Sequence, residues 1–168
     1  SKLENSFYFR NFYNGGGVAT GDINNDGLAD IMLSSNMGEN KLYLNKGDWK
    51  FQDISAKSGM KQDSMWSTGI VMADINSDGW LDIYVCMMHG YLGLDGVNQL
   101  FINNGDGTFS EKAKDYGLDI SSYAQHAAFF DFDRDGDLDM YLLNQAVHTK
   151  ASFSAAVGRR QRDPLAGD

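Results

Sequence analysis

Asp22-Ile23-Asn24-Asn25-Asp26-Gly27-Leu28-Ala29-Asp30 returns as Asp74-Ile75-Asn76-Ser77-Asp78-Gly79-Trp80-Leu81-Asp82. It returns again as Asp131-Phe132-Asp133-Arg134-Asp135-Gly136-Asp137-Leu138-Asp139. The common form is D-x-[DN]-x-D-G-x-x-D, at intervals of 52 and then 57 residues. These windows hold 11 of the 23 acidic residues, so the acid is placed rather than spread. A second block repeats alongside. Asn40-Lys41-Leu42-Tyr43-Leu44-Asn45-Lys46-Gly47, followed by Phe51 and Gly59, recurs 58 residues later as Asn98-Gln99-Leu100-Phe101-Ile102-Asn103-Asn104-Gly105 with Phe109 and Gly117. The distance from window to block grows from 18 to 24 residues, which puts a six-residue insertion within His89–Val97. The third copy continues through Tyr141-Leu142-Leu143-Asn144 and loses its second half in Thr149–Asp168. The repeats run approximately over 8–60, 61–118 and 119–168, the last incomplete. A period in the fifties is the mark of a repeat architecture.

Each copy carries the same short apolar runs. Val18–Thr20, Ile70–Met72 and Ala127–Phe130 enter the acidic windows; Ile31–Leu33, Ile83–Val85 and Met140–Leu142 leave them. The runs are too short for helices and rich in β-branched and aromatic residues, so they read as strands. Lys41–Leu44 with Trp49–Ile54, and Gln99–Ile102 with Thr108–Glu111, supply two more strands per copy across Gly-bearing turns. The expected fold is all-β: consecutive four-stranded antiparallel meanders. The strand after each acidic window is apolar on both faces, so each sheet must lie between neighbours. Stacked four-stranded units of this period are β-propeller blades. Gly15–Gly17, Gly21, Gly69, Ala73, Ala127 and Ala128 cluster in the strand before each window, as an innermost strand near the axis requires. Three blades cannot close a ring of 4–8. The expectation is a partial propeller over 1–168, needing the remaining blades of its own ring to cover its end faces, with Leu42, Tyr43, Leu100 and Phe101 contributing to inter-blade or outer-strand contacts.

Within each window, side-chain oxygens at positions 1, 3, 5 and 9 and the carbonyl at position 7 can face one centre, and glycine at position 6 closes the turn. No His, Cys or Met lies in any window, which disfavours zinc, copper and iron. A flexible all-oxygen site suits Ca²⁺ better than Mg²⁺. Two carboxylates about 5 Å apart at an effective dielectric of ~20 repel by about 3 kcal/mol, so an acidic turn without a cation would be strained or open. An EF-hand needs Glu at position 12 and flanking helices; position 12 is Leu33, Val85 and Leu142, and the flanks are strands. One Ca²⁺ per repeat, three in all, would move the net charge from −9 to −3.

Composition narrows the function classes. A net charge of −9 and a pI near 4.6 oppose nucleic-acid binding. The single cysteine, Cys86, excludes an intrachain disulfide and a Cys-rich metal site. No apolar run reaches the ~18 residues of a transmembrane segment, and Ser1-Lys2-Leu3-Glu4 does not read as a signal peptide.

The triple motif within ~55-residue, four-stranded repeats resembles FG-GAP/VCBS repeats, the blades of the integrin-α-type β-propeller. Gly15–Asp22 and Asn40–Asn45 are similar to the subgroup related to cartilage acidic protein and its bacterial relatives. The resemblance covers residues ~8–168. It implies a seven-bladed ring when complete, Ca²⁺ in each inner hairpin, an extracytoplasmic location (secreted, periplasmic or cell-surface, including lipid anchoring through a missing N-terminus), and a binding, adhesion or scaffold role without catalysis. The ligands it implies are Asp22, Asn24, Asp26, Leu28 (carbonyl) and Asp30; Asp74, Asn76, Asp78, Trp80 (carbonyl) and Asp82; Asp131, Asp133, Asp135, Asp137 (carbonyl) and Asp139. A protein or glycan ligand, or an outer-membrane multi-protein assembly, is the expected partner.

The alternative class is a propeller-based polysaccharide lyase, hydrolase or lectin, using the insertion Gly90–Gly96 or Thr149–Asp168. Against it, nearly half of the acidic residues lie in the acidic windows, and Glu4, Glu39 and Glu111 are the only glutamates. Cys86-Met87-Met88-His89 reads as a buried strand end rather than a copper site, since alternation sends neighbours to opposite faces. His126 is expected at the start of a core strand and His148 in a loop, with no nucleophile motif nearby. Trp66 and Tyr123, each eight residues before a window, are expected in equivalent positions. Arg159-Arg160-Gln161-Arg162 reads as a solvated loop, and Asp63-Ser64-Met65 resembles a bacterial O-glycosylation sequon.

Overall fold

A computed structural model describes residues 16–36, 38–60, 66–90 and 93–145. Ten strands follow in order: β1 (Val18–Gly21), β2 (Asp30–Leu33), β3 (Lys41–Asn45), β4 (Phe51–Asp53), β5 (Ser67–Ala73), β6 (Asp82–Met87), β7 (Gln99–Asn103), β8 (Phe109–Glu111), β9 (Ala124–Phe130) and β10 (Asp139–Asn144). They form antiparallel sheets β1-β2-β3-β4, β5-β6-β7-β8 and β9-β10. Each acidic window is the hairpin joining the first two strands of its sheet, with Gly21 opposite Asp30, Ala73 opposite Asp82 and Phe130 opposite Asp139. These sheets are the blades expected from the repeats, the third described through its first two strands.

The middle blade shows why the period-2 pattern was apolar on both faces. β6 is buried along its whole length. Ile83, Val85 and Met87 enter one cluster with Met32 and Leu42 of the first blade, joined by Ile70 and Phe101. Tyr84 and Cys86 enter a second with Leu100 and with Ala124 and Ala127 of the third blade. One strand therefore serves two inter-blade cores, and removing water from each large side chain contributes about 1.5–3 kcal/mol. The outward faces of the end blades are open: Val18 is 61% exposed and Tyr141 60%. Those are the faces further blades would cover.

Neighbouring blades are stitched together by backbone bonds at one end of their strands. Gly17 N–H donates to the Thr68 carbonyl (2.8 Å), Ser67 N–H to Ser35 (3.1 Å) and His89 N–H to Ser122 (3.1 Å). A Cβ on Gly69 would lie 2.4 Å from the Gln125 carbonyl oxygen, and one on Gly17 2.6 Å from that of Thr68. The small residues before each window are thus set by strand-to-strand approach. At that end of the blades the insertion forms a small hairpin, with His89 bridging Asp95 and Gly90 N–H donating to Leu94 (2.7 Å). It packs Leu94 against Trp66, Met88 and Tyr123.

Two local expectations are corrected. The strand placed at Trp49–Ile54 begins at Phe51; Asp48 and Trp49 have φ of 50° and 58° and belong to the turn. His126 is the third residue of β9 and exposed, because its side of that strand faces away from the second core. The other end of the Cys86–His89 run behaves as read. Cys86 is buried, and desolvation pushes its thiol up to about 12. The thiolate is the nucleophile, so the native full-length protein should leave Cys86 unlabelled by a maleimide at pH 7.5. Labelling should appear with the unfolding transition, and rapid labelling of the native state would contradict this packing.

Candidate metal sites

The three hairpins reach one shape by the same bonds. Position 1 accepts through both oxygens: Asp22 from Asp26 N–H (3.1 Å) and Gly27 N–H (2.7 Å), Asp74 from Asp78 (3.0 Å) and Gly79 (2.9 Å), Asp131 from Asp135 (3.1 Å) and Gly136 (3.2 Å). Position 5 accepts from the N–H of position 7, at 2.9 Å from Asp26 to Leu28, from Asp78 to Trp80 and from Asp135 to Asp137. Position 4 is left-handed in every copy (Asn25, Ser77 and Arg134), as is the glycine at position 6. The glycines meet the need for φ > 0 without a Cβ penalty.

Position 9 anchors the loop to the sheet. Asp30 accepts from Ile23 N–H (3.0 Å) and Asn45 N–H (2.8 Å); Asp82 accepts from Ile75 (3.0 Å) and Asn103 (2.9 Å). Both are fully buried, and desolvation raises their carboxyl pKa. The backbone N–H bonds pull the other way and the neighbouring position-1 and position-5 carboxylates push up again. Asp139 makes the first of these bonds, from Phe132 N–H (2.9 Å), and is exposed.

The remaining oxygens differ by copy. Asp131, Asp133 and Asp139 each bring a carboxylate oxygen within 4.8 Å of the others, the one such cluster among the described residues. In the first two hairpins position 3 is Asn24 or Asn76, whose amide donates to Asp26 (3.0 Å) or Asp78 (2.8 Å). Asp26, Leu28 and Asp78 are exposed, and Asp22, Asn24, Asp74 and Trp80 are half-buried. Asn76 and all five acids of the third hairpin are exposed. Among the described residues the ion pairs are Lys41–Glu39, Lys41–Asp53 and Lys112–Asp115, so no cationic side chain neutralises a hairpin. An oxygen-only donor set with converging carboxylates and no internal counter-charge fits a hard cation of the Ca²⁺ class.

Two asparagines hold the first two hairpins and two more pin the opposite end of those sheets; sequence reasoning quoted all four without giving them a role. Asn45 and Asn103 donate to the carbonyls of Ala29 (3.0 Å) and Leu81 (3.1 Å) and cap the following turns at Gly47 and Gly105. Asn103 also reaches the Ile23 carbonyl of the preceding blade (2.8 Å). Asn40 and Asn98 accept from Ser35 and Met87 N–H (2.8 Å each) at the opposite end of the sheets. Their recurrence at equal register was the available signal. A further inter-blade bond, Asn25 to the Gly79 carbonyl (3.1 Å), joins the first hairpin to the second. Gly15, His148, Arg159–Arg162, Asp63–Met65 and Thr149–Asp168 lie outside the described residues.

A blade-forming repeat with an acidic inner hairpin defines the class, and comparison with known proteins agrees. The FG-GAP-like repeat family matches residues 22–85 and 91–142. The chain belongs to the FG-GAP-like repeat family. It is similar to cartilage acidic protein 1 of Xenopus tropicalis, 33% identical over 92% of this chain and 24% of that protein. The same protein of Homo sapiens is 28% identical over 91% of this chain and 23% of that protein. The chain therefore spans about a quarter of the length of the curated relatives it matches.

Proposed function

We propose that each acidic hairpin holds one Ca²⁺ and that the chain is part of a calcium-stabilised, non-catalytic binding or scaffold module working outside the cytoplasm. The observation that supports this most is the triple repetition of one hairpin shape, built on backbone N–H bonds with carboxylates left unneutralised. Asp22, Asn24, Asp26, Asp30 and the Leu28 carbonyl would hold the first ion, with the corresponding positions holding the others. The ion supplies positive charge where no ion pair forms among the described residues and ties the hairpin to its sheet through position 9. Hairpin ends rich in ligands leave little room for a substrate, unlike a catalytic metal with an open position. Extracellular calcium modules work at affinities of ~10⁻⁴–10⁻³ M, and the relatives' name places them in cartilage. A protein or glycan at the surface of the assembled ring is the partner this reading favours.

Calorimetric titration of the full-length protein tests the first clause. Asp26→Ala, Asp78→Ala and Asp135→Ala are each expected to lower the number of bound Ca²⁺ by one. Unchanged stoichiometry in all three variants would overturn it.

A further inference from the structure

The turn after β3 carries two features that the fold does not use. Lys50 N–H donates to the Gly47 carbonyl (2.9 Å), closing a tight turn whose central residues, Asp48 and Trp49, are both left-handed. Such a turn strongly prefers Asn-Gly, and glycine above all at its second central place. The sister turn in the next blade has Gly107 at the place of Trp49, with φ of 85°. Trp49 is 93% exposed, so the ring gains no packing in return for a backbone conformation that L side chains resist. Beside it, Lys46 N–H donates to the Lys50 carbonyl (2.8 Å), which sets two exposed lysines across from one another. Like charges directly opposite are unfavourable, and neither lysine belongs to an ion pair among the described residues. Strain and charge repulsion thus meet at one tip, where an anionic group would offset the repulsion and a flat apolar face would give the exposed ring a contact.

We propose that the Lys46–Lys50 tip binds an acidic sugar unit, with the Trp49 ring stacked on the sugar's C–H face and Lys46 and Lys50 pairing its carboxylate. A protein partner fits less well. A stable protein interface needs roughly 800 Å² per side around an apolar core, and around Trp49 the exposed residues are Lys46, Asp48, Lys50 and Gln52 with Phe51 alone apolar. A nucleic-acid strand has a charge on every unit, which the chain's −9 opposes. A glycan with a carboxylate on alternate sugars presents one charge for two lysines. Asn45 fixes the tip beside the first hairpin through its bonds to Asp30 and Ala29, but none of the sugar contacts involves that hairpin's metal.

The test titrates the full-length protein, in calcium and again in excess chelator, with an octasaccharide alternating glucuronate and N-acetylglucosamine. A neutral dextran octasaccharide and an octathymidylate are the comparison ligands. Tryptophan emission should change saturably with the acidic sugar, binding should weaken as salt is raised, and the neutral sugar should bind at least about tenfold more weakly. Trp49→Gly should weaken binding about tenfold or more while leaving the melting temperature equal or higher. Trp49→Asn, which also tolerates the left-handed turn, should do the same for binding. Lys46→Gln/Lys50→Gln should remove the salt dependence. The proposal is overturned if the acidic octasaccharide does not bind, if both Trp49 variants bind it as wild type does, or if the octathymidylate binds more tightly. Binding that persists in chelator with calcium stoichiometry unchanged in Trp49→Gly separates this site from the metal reading.

Discussion

Excess chelator is expected to lower the melting temperature of the full-length protein by roughly 15 °C or more, through the three hairpins of this segment alone. A ligand that binds only the native state at a hundredfold excess over Kd adds about 2.7 kcal/mol per site. Three sites give about 8 kcal/mol, comparable with a domain's whole stability of ~5–15 kcal/mol, and each kcal/mol shifts the melt of a domain of 150–250 residues by about 2–4 °C. The physical source is the carboxylate oxygens of Asp131, Asp133 and Asp139 within 4.8 Å of one another, and the hairpin carboxylates that no cation pairs with among the described residues. Mg²⁺ should restore the melt poorly because it keeps its waters and demands a strict octahedron. Asp26→Ala, Asp78→Ala and Asp135→Ala should each remove part of the calcium-dependent shift. Asp48→Asn, an exposed turn position with φ of 50° that asparagine tolerates, should remove none of it. Superimposable melts in calcium and in chelator at matched ionic strength would defeat the structural-metal reading.

The largest effect of one substitution is expected at Tyr84. Its side chain is fully buried between the second and third blades, edge-on to Phe129 with ring centroids 5.6 Å apart. Its hydroxyl donates to the Leu118 carbonyl (2.9 Å) and accepts from the Asn98 amide (3.1 Å). Truncating a large buried aromatic costs about 3–5 kcal/mol, and each buried polar group left without a partner adds about 1–3 kcal/mol. Tyr84→Ala should therefore leave little folded protein by near-UV circular dichroism. Tyr84→Phe, which keeps the ring, should cost about 1–3 kcal/mol in denaturant melts. Burial raises the phenol to about 12, offset in part by the Asn98 bond. A folded pKa above the unfolded value of ~10 means that the unfolded chain loses its proton first, so this contribution is full below pH ~10 and disappears as pH rises through ~12. Wild type should lose more stability than Tyr84→Phe between pH 10 and 12. A Tyr84→Ala variant as stable as wild type would disprove the keystone role.

The fold was legible because two periodicities agree. The ~55-residue repeat set the blades, and the two-sided apolar run Ile83–Cys86 required a neighbour on each face, which is where the two core clusters lie. Trp66 and Tyr123 were legible as equivalents for the same reason: their carbonyls accept from Met88 and Gln145, each 22 residues on. Trp49 was misplaced because aromatic residues favour strands, whereas the backbone there is decided by the turn closing from Gly47 to Lys50. The hairpin residues could be chosen from sequence because an oxygen donor can be recognised by type and spacing. The tying roles of Asn40, Asn45, Asn98 and Asn103 could not be chosen that way, since an asparagine offers a turn and a cross-strand bond the same donors and acceptor. His126 depends on which side of β9 faces the second core, and a one-residue change of register reverses that.

The bond from Asn103 to the Ile23 carbonyl spans 80 positions of chain. It makes the first hairpin's final fastening a product of the blade that follows it. In chain order, residues 22–30 come well before the amide that locks them, which lies 80 positions beyond Ile23. The first blade's hairpin is thus completed by a side chain of the blade that follows it.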